Sequence, residues 1–239
     1  MATTVAPPGL ATLLVLADGR LPAGGHAHSS GLEAAVSAGR VRDLSTVEAF
    51  LRGRLASAGL VAAAFAAATT YRIRCAATES LAAVGELDLG LDARTPSPAL
   101  RRASRAQGRA LLRAGRAMWT LPPMWTLPAI TTRFPDGPHQ SIALGVVSAA
   151  AGLTPEHAAL VAAYGSISGS ASAAVRILAL DPYPVHGLLA RLAPVCDETA
   201  RRAARLAHLG EPELPAASAP LLDISAEDHS AWEVRLFAS

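Results

Sequence analysis

Apolar residues recur along this chain mostly at helical spacing. Leu10, Leu13, Leu14 and Ala17 form an i, i+3, i+4, i+7 set, which predicts a first helix over 9–17. The run "GRLPAGG" breaks it, and a helix resumes near Ser29 or Ser30 to carry Leu32 and Val36. Ser45-Thr46-Val47-Glu48 reads as a capping box that opens a long helix to about Arg74, with Phe50, Leu51, Leu55, Leu60, Val61 and Phe65 on its stripe. A short helical stretch over 76–87 precedes "DLGLDARTPSP", which reads as a loop. Ser97-Pro98 and Thr154-Pro155 each pair a capping side chain with proline at the first helical position. They predict helices to about Trp119 and to about Leu178. A helix over 139–151 lies between them, and a last long one over about 185–209 follows the break "ALDPYP". "TLPPMWTLP" is too rich in proline for a helix or a central strand. No convincing strand pattern occurs.

These elements predict an all-α, single-domain bundle of about seven to ten helices with an extended C-terminal tail. The helical domain spans 1–210, and a partner-binding tail rich in proline, alanine and serine spans 211–239. Composition agrees: 51% of residues are hydrophobic, 4% aromatic and 17% charged, with alanine dominant, so good helix formers outweigh β-formers. The net charge of +2 is too small to argue for nucleic acid or an acidic membrane surface. No lysine occurs, so the basic side is almost all arginine. Cys75 and Cys196 are far apart and lack zinc-type neighbours, so both are expected as reduced core thiols. The early apolar run lacks a preceding positive charge, and "GLVAAAFAAATT" falls short of the roughly 20 residues that span a bilayer, which predicts a soluble, cytoplasmic protein.

Candidate chemistry centres on "LPAGGHAHSSGLEAA", residues 21–35. As a phosphate loop it lacks GxxxxGK[ST] and GxGxxG. As a metal site it offers His26 and His28, one residue apart, with Glu33 as a third donor to nickel or zinc. As a joint, its glycines supply positive-φ turns, while Glu33 and the two serines meet free amides at the next helix start. No GxSxG or HExxH occurs, and the serines of "SISGSASAA" sit in an apolar helix where small residues allow close packing. Arg101, Arg105, Arg109, Arg113 and Arg116 share one helix face, either solvated or a docking ridge for an acidic partner. Trp119-Thr-Leu-Pro and Trp125-Thr-Leu-Pro form a short repeat, either a packed connector or an exposed aromatic patch. No catalytic constellation emerges, so a binding or scaffold role outranks an enzyme.

The opening stretch resembles the N-terminal motif of the urease accessory protein UreF family, here Leu21, Pro22, Gly24, Ser29, Gly31, Leu32 and Glu33. "ASRAQGRALLRA", "HQSIALGVVSAAAGL" and "SASAAVRILAL" resemble later family segments, and "DISAEDHSAWEVRLFAS" resembles its tail ending R-L-F-x-S. The chain departs from the family pattern at Asp181-Pro182, at Ala99-Leu100-Arg101-Arg102 and at Ser230 after His229, and the tryptophan repeat has no counterpart. The resemblance implies an all-α homodimer without catalysis, a chaperone in urease maturation. It implies a complex with UreD (also called UreH) and the GTPase UreG that inserts nickel into apo-urease. It points to Glu33, Arg176, His229, Arg235, Leu236 and Phe237 as partner-binding residues. No cofactor is expected to bind tightly, and nickel only in passing. The alternative is a metallochaperone that carries nickel itself on His26 and His28.

Overall fold

The computed structural model describes residues 10–75, 80–121 and 125–238. Ten α-helices and no strands are found among them. They are α1 (Leu10–Ala17), α2 (Leu32–Ser37), α3 (Leu44–Cys75), α4 (Ser80–Ala93), α5 (Pro98–Met118), α6 (Leu127–Arg133), α7 (Gln140–Ala150), α8 (Pro155–Ile177), α9 (Pro182–Leu206) and α10 (Pro220–Ser230).

Local chemistry sets most helix starts. Ser97 Oγ accepts from Leu100 N at 3.1 Å, and Thr154 Oγ1 accepts from His157 N at 3.2 Å, each ahead of a proline. The start of α3 differs from expectation. Asp43, not Ser45, caps it, accepting from Thr46 N at 2.9 Å, while the Ser45 hydroxyl itself donates to Asp43 Oδ1. A carboxylate is a stronger acceptor than a hydroxyl, and the box closes two residues earlier. Two further segments correct the sequence reading. Residues 88–93 continue α4 rather than forming a loop, and the second Trp-Thr-Leu-Pro opens α6, with Thr126 as cap and Pro128 in the first turn. The start of the helix expected over 76–87, and the prolines at 122 and 123, lie outside the described residues.

α3 runs through the middle and packs on α7, α8 and α9, while α5 packs on α7 and α9 on α8. Its alanines make this possible: Ala63, Ala64, Ala66, Ala67 and Ala68 are all fully buried, so neighbouring backbones come close. A π turn over Leu55–Gly59 interrupts α3 where it meets α8. There Arg54 donates to Ser166 O at 2.8 Å and to Ser30 O at 2.9 Å, and loss of solvation without a carboxylate pushes its pKa down to about 10. α3 and α8 are long and apolar enough to cross a membrane by length and composition, yet both pack inside the bundle.

One apolar cluster gathers Phe65, Leu87, Leu111, Trp125, Ile142 and Leu153. Trp125 is buried and stacks on Phe134 at 5.8 Å, and Trp119 packs half-buried on the same cluster, so the two tryptophans pack on the bundle rather than form an exposed patch. The second cluster gathers Leu32, Leu51, Ile167, Leu188, Leu192 and Phe237. Cys196 lies in it, and burial pushes its thiol up to about 11. Cys75, expected in the core, is instead exposed at the end of α3.

Candidate functional site

The opening stretch folds as a joint between α1 and α2. Gly24, Ser30 and Gly31 take left-handed backbone angles of +79°, +59° and +89°. A side chain on Gly31 would meet Leu222 Cδ2 of α10 at 2.9 Å, so the glycine also admits the C-terminal helix. Ser29 Oγ accepts from Glu33 N at 3.2 Å and starts α2, while its carbonyl accepts from Ser170 Oγ at 3.0 Å.

Glu33 does not cap its own helix. Its carboxylate points inward and holds the far end of the chain. Oε2 accepts from His229 Nε2 at 2.9 Å and from Phe237 N at 3.1 Å, and Oε1 accepts from Leu236 N at 2.8 Å. Glu33, His229 and Phe237 are 8%, 3% and 5% exposed, so this polar cluster is shielded from water and each donor needs its acceptor. The Arg176 guanidinium lies over the Phe237 ring at 4.5 Å and donates to His26 O at 3.3 Å. Ala238 N donates to Ala27 O at 2.7 Å, and the His229 ring packs on Trp232 at 4.7 Å.

α10 is pinned at its other flank too. Glu227 Oε1 accepts from Ala99 N at 2.8 Å and from Ser97 Oγ, which holds its carboxyl below the usual glutamate range. Asp223 Oδ1 accepts from Ser97 N at 3.3 Å, and burial there raises its pKa. Arg40 donates to Ser225 Oγ at 2.9 Å. The segment after Leu206 is therefore mostly held in place, with a turn at Glu211–Glu213 and a helix, where sequence patterning suggested an extended tail.

Of the residues singled out by sequence, the structure unites Glu33, His229, Leu236, Phe237 and Arg176 in one cluster. Glu33, His229 and Phe237 are inside it, so in this conformation they position the tail rather than face a partner. Arg235 is exposed, and Leu236 keeps its amide on Glu33 while its side chain is 72% exposed, beside Val234 at 85%. Sequence reasoning read Ser97 only as a helix cap and missed Asp223 and Glu227 as the groups of α10 that bond to it.

His26 and His28 sit in and after a short 3-10 turn, Gly25–Ala27. Burial lowers the His28 pKa, and His26 adds to the shift. Glu33 spends both oxygens on the tail, so it does not complete a site with them. Among the described residues no group of three His, Cys, Asp or Glu is placed to hold a metal ion.

The arginine ridge divides. Arg105 bridges Asp88 at 2.9 Å and Asp92 at 2.6 Å and donates to Gly137 O at 2.6 Å, and Arg101 donates to Thr95 O at 2.7 Å. Both fasten loops to α5. Arg113 and Arg116 are exposed. Beside Arg105 lies a buried histidine, His139, whose Nε2 donates to Asp92 Oδ1 at 3.0 Å. Its Nδ1 lies 2.9 Å from Ser104 Oγ, and Ser104 Oγ accepts from Gln140 N at 3.1 Å, so the serine proton goes to Nδ1. Burial outweighs Asp88 and Asp92 and keeps His139 below its usual pKa.

The fold and the site together define an all-α bundle protein that clamps its own C-terminal tail with a buried glutamate near its N-terminus. The family model described as UreF matches residues 41–193. A urease accessory protein UreF from Mycolicibacterium vanbaalenii is 48% identical over 232 residues, covering 96% of this chain and 99% of that protein. Those from Mycobacterium marinum and Mycobacterium tuberculosis are 48% and 42% identical, again over 96% of this chain and 99% of each relative. The chain belongs to the UreF family of urease accessory proteins.

Proposed function

We propose that this protein is a non-catalytic scaffold for building the nickel centre of urease. In this reading it works in the cytoplasm as a homodimer, binds UreD (UreH) and the GTPase UreG, and couples nickel delivery to apo-urease. Nickel is cargo of that assembly and not a resident cofactor of this chain. The observation that carries the reading is the Glu33 clamp. It joins the two most specific family segments, the opening motif and the tail, and leaves Val234, Arg235 and Leu236 at the surface. Exposed Leu10 and Leu14 on α1, and Leu221 and Ile224 on α10, add large apolar side chains of the kind partners cover. For the dimer, Gly165 and Gly169 of α8 have nothing beyond their own helix backbone and chain neighbours within 4 Å of where a side chain would start, which suits close approach by a second helix.

Co-expression with UreD, UreG and apo-urease tests this. Co-purification of a complex and nickel-dependent urease activity that requires this chain are expected. Full activation without the chain refutes the proposal.

A further inference from the structure

Five arginines, Arg101, Arg102, Arg105, Arg109 and Arg133, line a cavity of about 690 Å³ between α4, α5 and the segment after α6. Three carboxylates, Asp88, Asp92 and Asp136, line it with them, too few for five guanidinium groups. Asp88 and Asp92 are spent on Arg105, and Asp92 also takes His139. Asp92 reaches Arg101 only at 3.9 Å. Glu227 lies near enough to feel Arg102 and Arg101, but its hydrogen bonds go to Ala99 N and Ser97 Oγ. Arg109 gives its bond to the Asp136 carbonyl. Among the described residues Arg102, Arg109 and Arg133 form no ion pair.

Arg133 lies against its neighbours without being neutralised. Its guanidinium lies against Gly85, so close that any side chain there would overlap it, and 5.8 Å from the Phe134 ring centre. Glycine at 85 thus leaves room for a half-buried cation. Neither a helix backbone nor a ring supplies the negative charge that a guanidinium fork is shaped to bind.

We propose that this cavity binds a small phosphate-bearing anion, with Arg102, Arg109 and Arg133 on the phosphate. A planar fork matches phosphate oxygens two at a time. The volume falls within the roughly 300–1,000 Å³ of small-molecule pockets, more than a free phosphate fills. Leu89, 59% exposed, and Pro135 offer an apolar wall for an organic remainder. The site is separate from the tail clamp, and the proposal stands independently of the urease reading.

Isothermal titration of the full chain tests it, with inorganic phosphate and with glycerol 3-phosphate at constant ionic strength. Saturable binding with Kd of about 1 mM or tighter is expected for at least one of them. Arg133→Ala and Arg102→Ala should each weaken it about tenfold or more, as expected when a charge-assisted bond is lost. Arg201→Ala, at a surface arginine paired with Glu198, should leave it unchanged. Because Arg102 is exposed, its variant keeps the test valid even if Arg133→Ala unfolds. Tighter binding of glycerol 3-phosphate identifies a phosphomonoester site, and equal binding identifies a site for the anion alone. Absence of saturable heat with both probes, or equal weakening by Arg201→Ala, overturns the proposal.

Discussion

Glu33 and Phe237, 204 residues apart, are joined by a hydrogen bond of 3.1 Å from the Phe237 amide to the Glu33 carboxylate. The same carboxylate takes Leu236 N and His229 Nε2, so one side chain organises the last turn of the fold. Glu33→Ala leaves two buried donors, His229 Nε2 and Phe237 N, and the part-buried Leu236 N without an acceptor. Docking of the tail should weaken by about 1–3 kcal/mol or more, the usual cost of stranding a buried polar group. Hydrogen exchange at the Leu236 and Phe237 amides reads this directly: both should exchange much faster in the variant, with α3 and α8 still protected.

Phe237 also contributes packing. It is 5% exposed, belongs to the second core cluster and carries the Arg176 guanidinium on its ring. Phe237→Ala should cost about 3–5 kcal/mol, as large-to-small core changes do. Arg176→Ala should cost less, since it removes one cation–π contact worth about 0.5–2 kcal/mol and one exposed hydrogen bond to His26 O. Urea midpoints of the two variants check the ranking.

The close approach of α3 and α7 depends on Gly145. A methyl group there would stand 2.7 Å from Ala66 O and 2.5 Å from Thr69 Cβ. A backbone carbonyl in a central helix cannot yield cheaply, so Gly145→Ala should destabilise by about 1–3 kcal/mol despite its better helix propensity. A thermal midpoint equal to or above wild type would show that the helices separate at no cost.

His139 gives stability a pH dependence. Burial holds its folded pKa below the ordinary 6.5, so the unfolded chain binds the extra proton first as pH falls. Above about pH 7.5 the group contributes nothing, and below 6.5 stability declines until the folded pKa is reached. His139→Gln should flatten the drop in urea midpoint between about pH 7.5 and 5.5, whatever its absolute stability. An unchanged slope would mean that His139 charges freely in the folded protein.

Helix starts fixed by neighbours in sequence were legible, as at Ser97-Pro98 and Thr154-Pro155, because a cap and its amide lie three residues apart. What sequence reasoning missed was decided at a distance. Residues 88–93 look like a loop because of their glycine and aspartates, yet Asp88 and Asp92 extend α4 by bridging Arg105 of α5. α10 has no strong helical period of its own and is held through Ser97 and Arg40. The resemblance singled out Glu33 and His229 separately. No spacing could show that they bond to each other across 196 residues.

Affinity co-purification reads directly whether the clamped tail serves assembly of a urease maturation complex. The wild-type chain and Glu33→Ala would each be co-expressed with UreD and UreG from the same organism. A stable complex is expected with the wild-type chain and one reduced about tenfold or more with Glu33→Ala, equivalent to about 1.4 kcal/mol of lost binding. A wild-type chain that brings down neither partner, or a variant that recovers both at wild-type yield, would contradict that role of the tail.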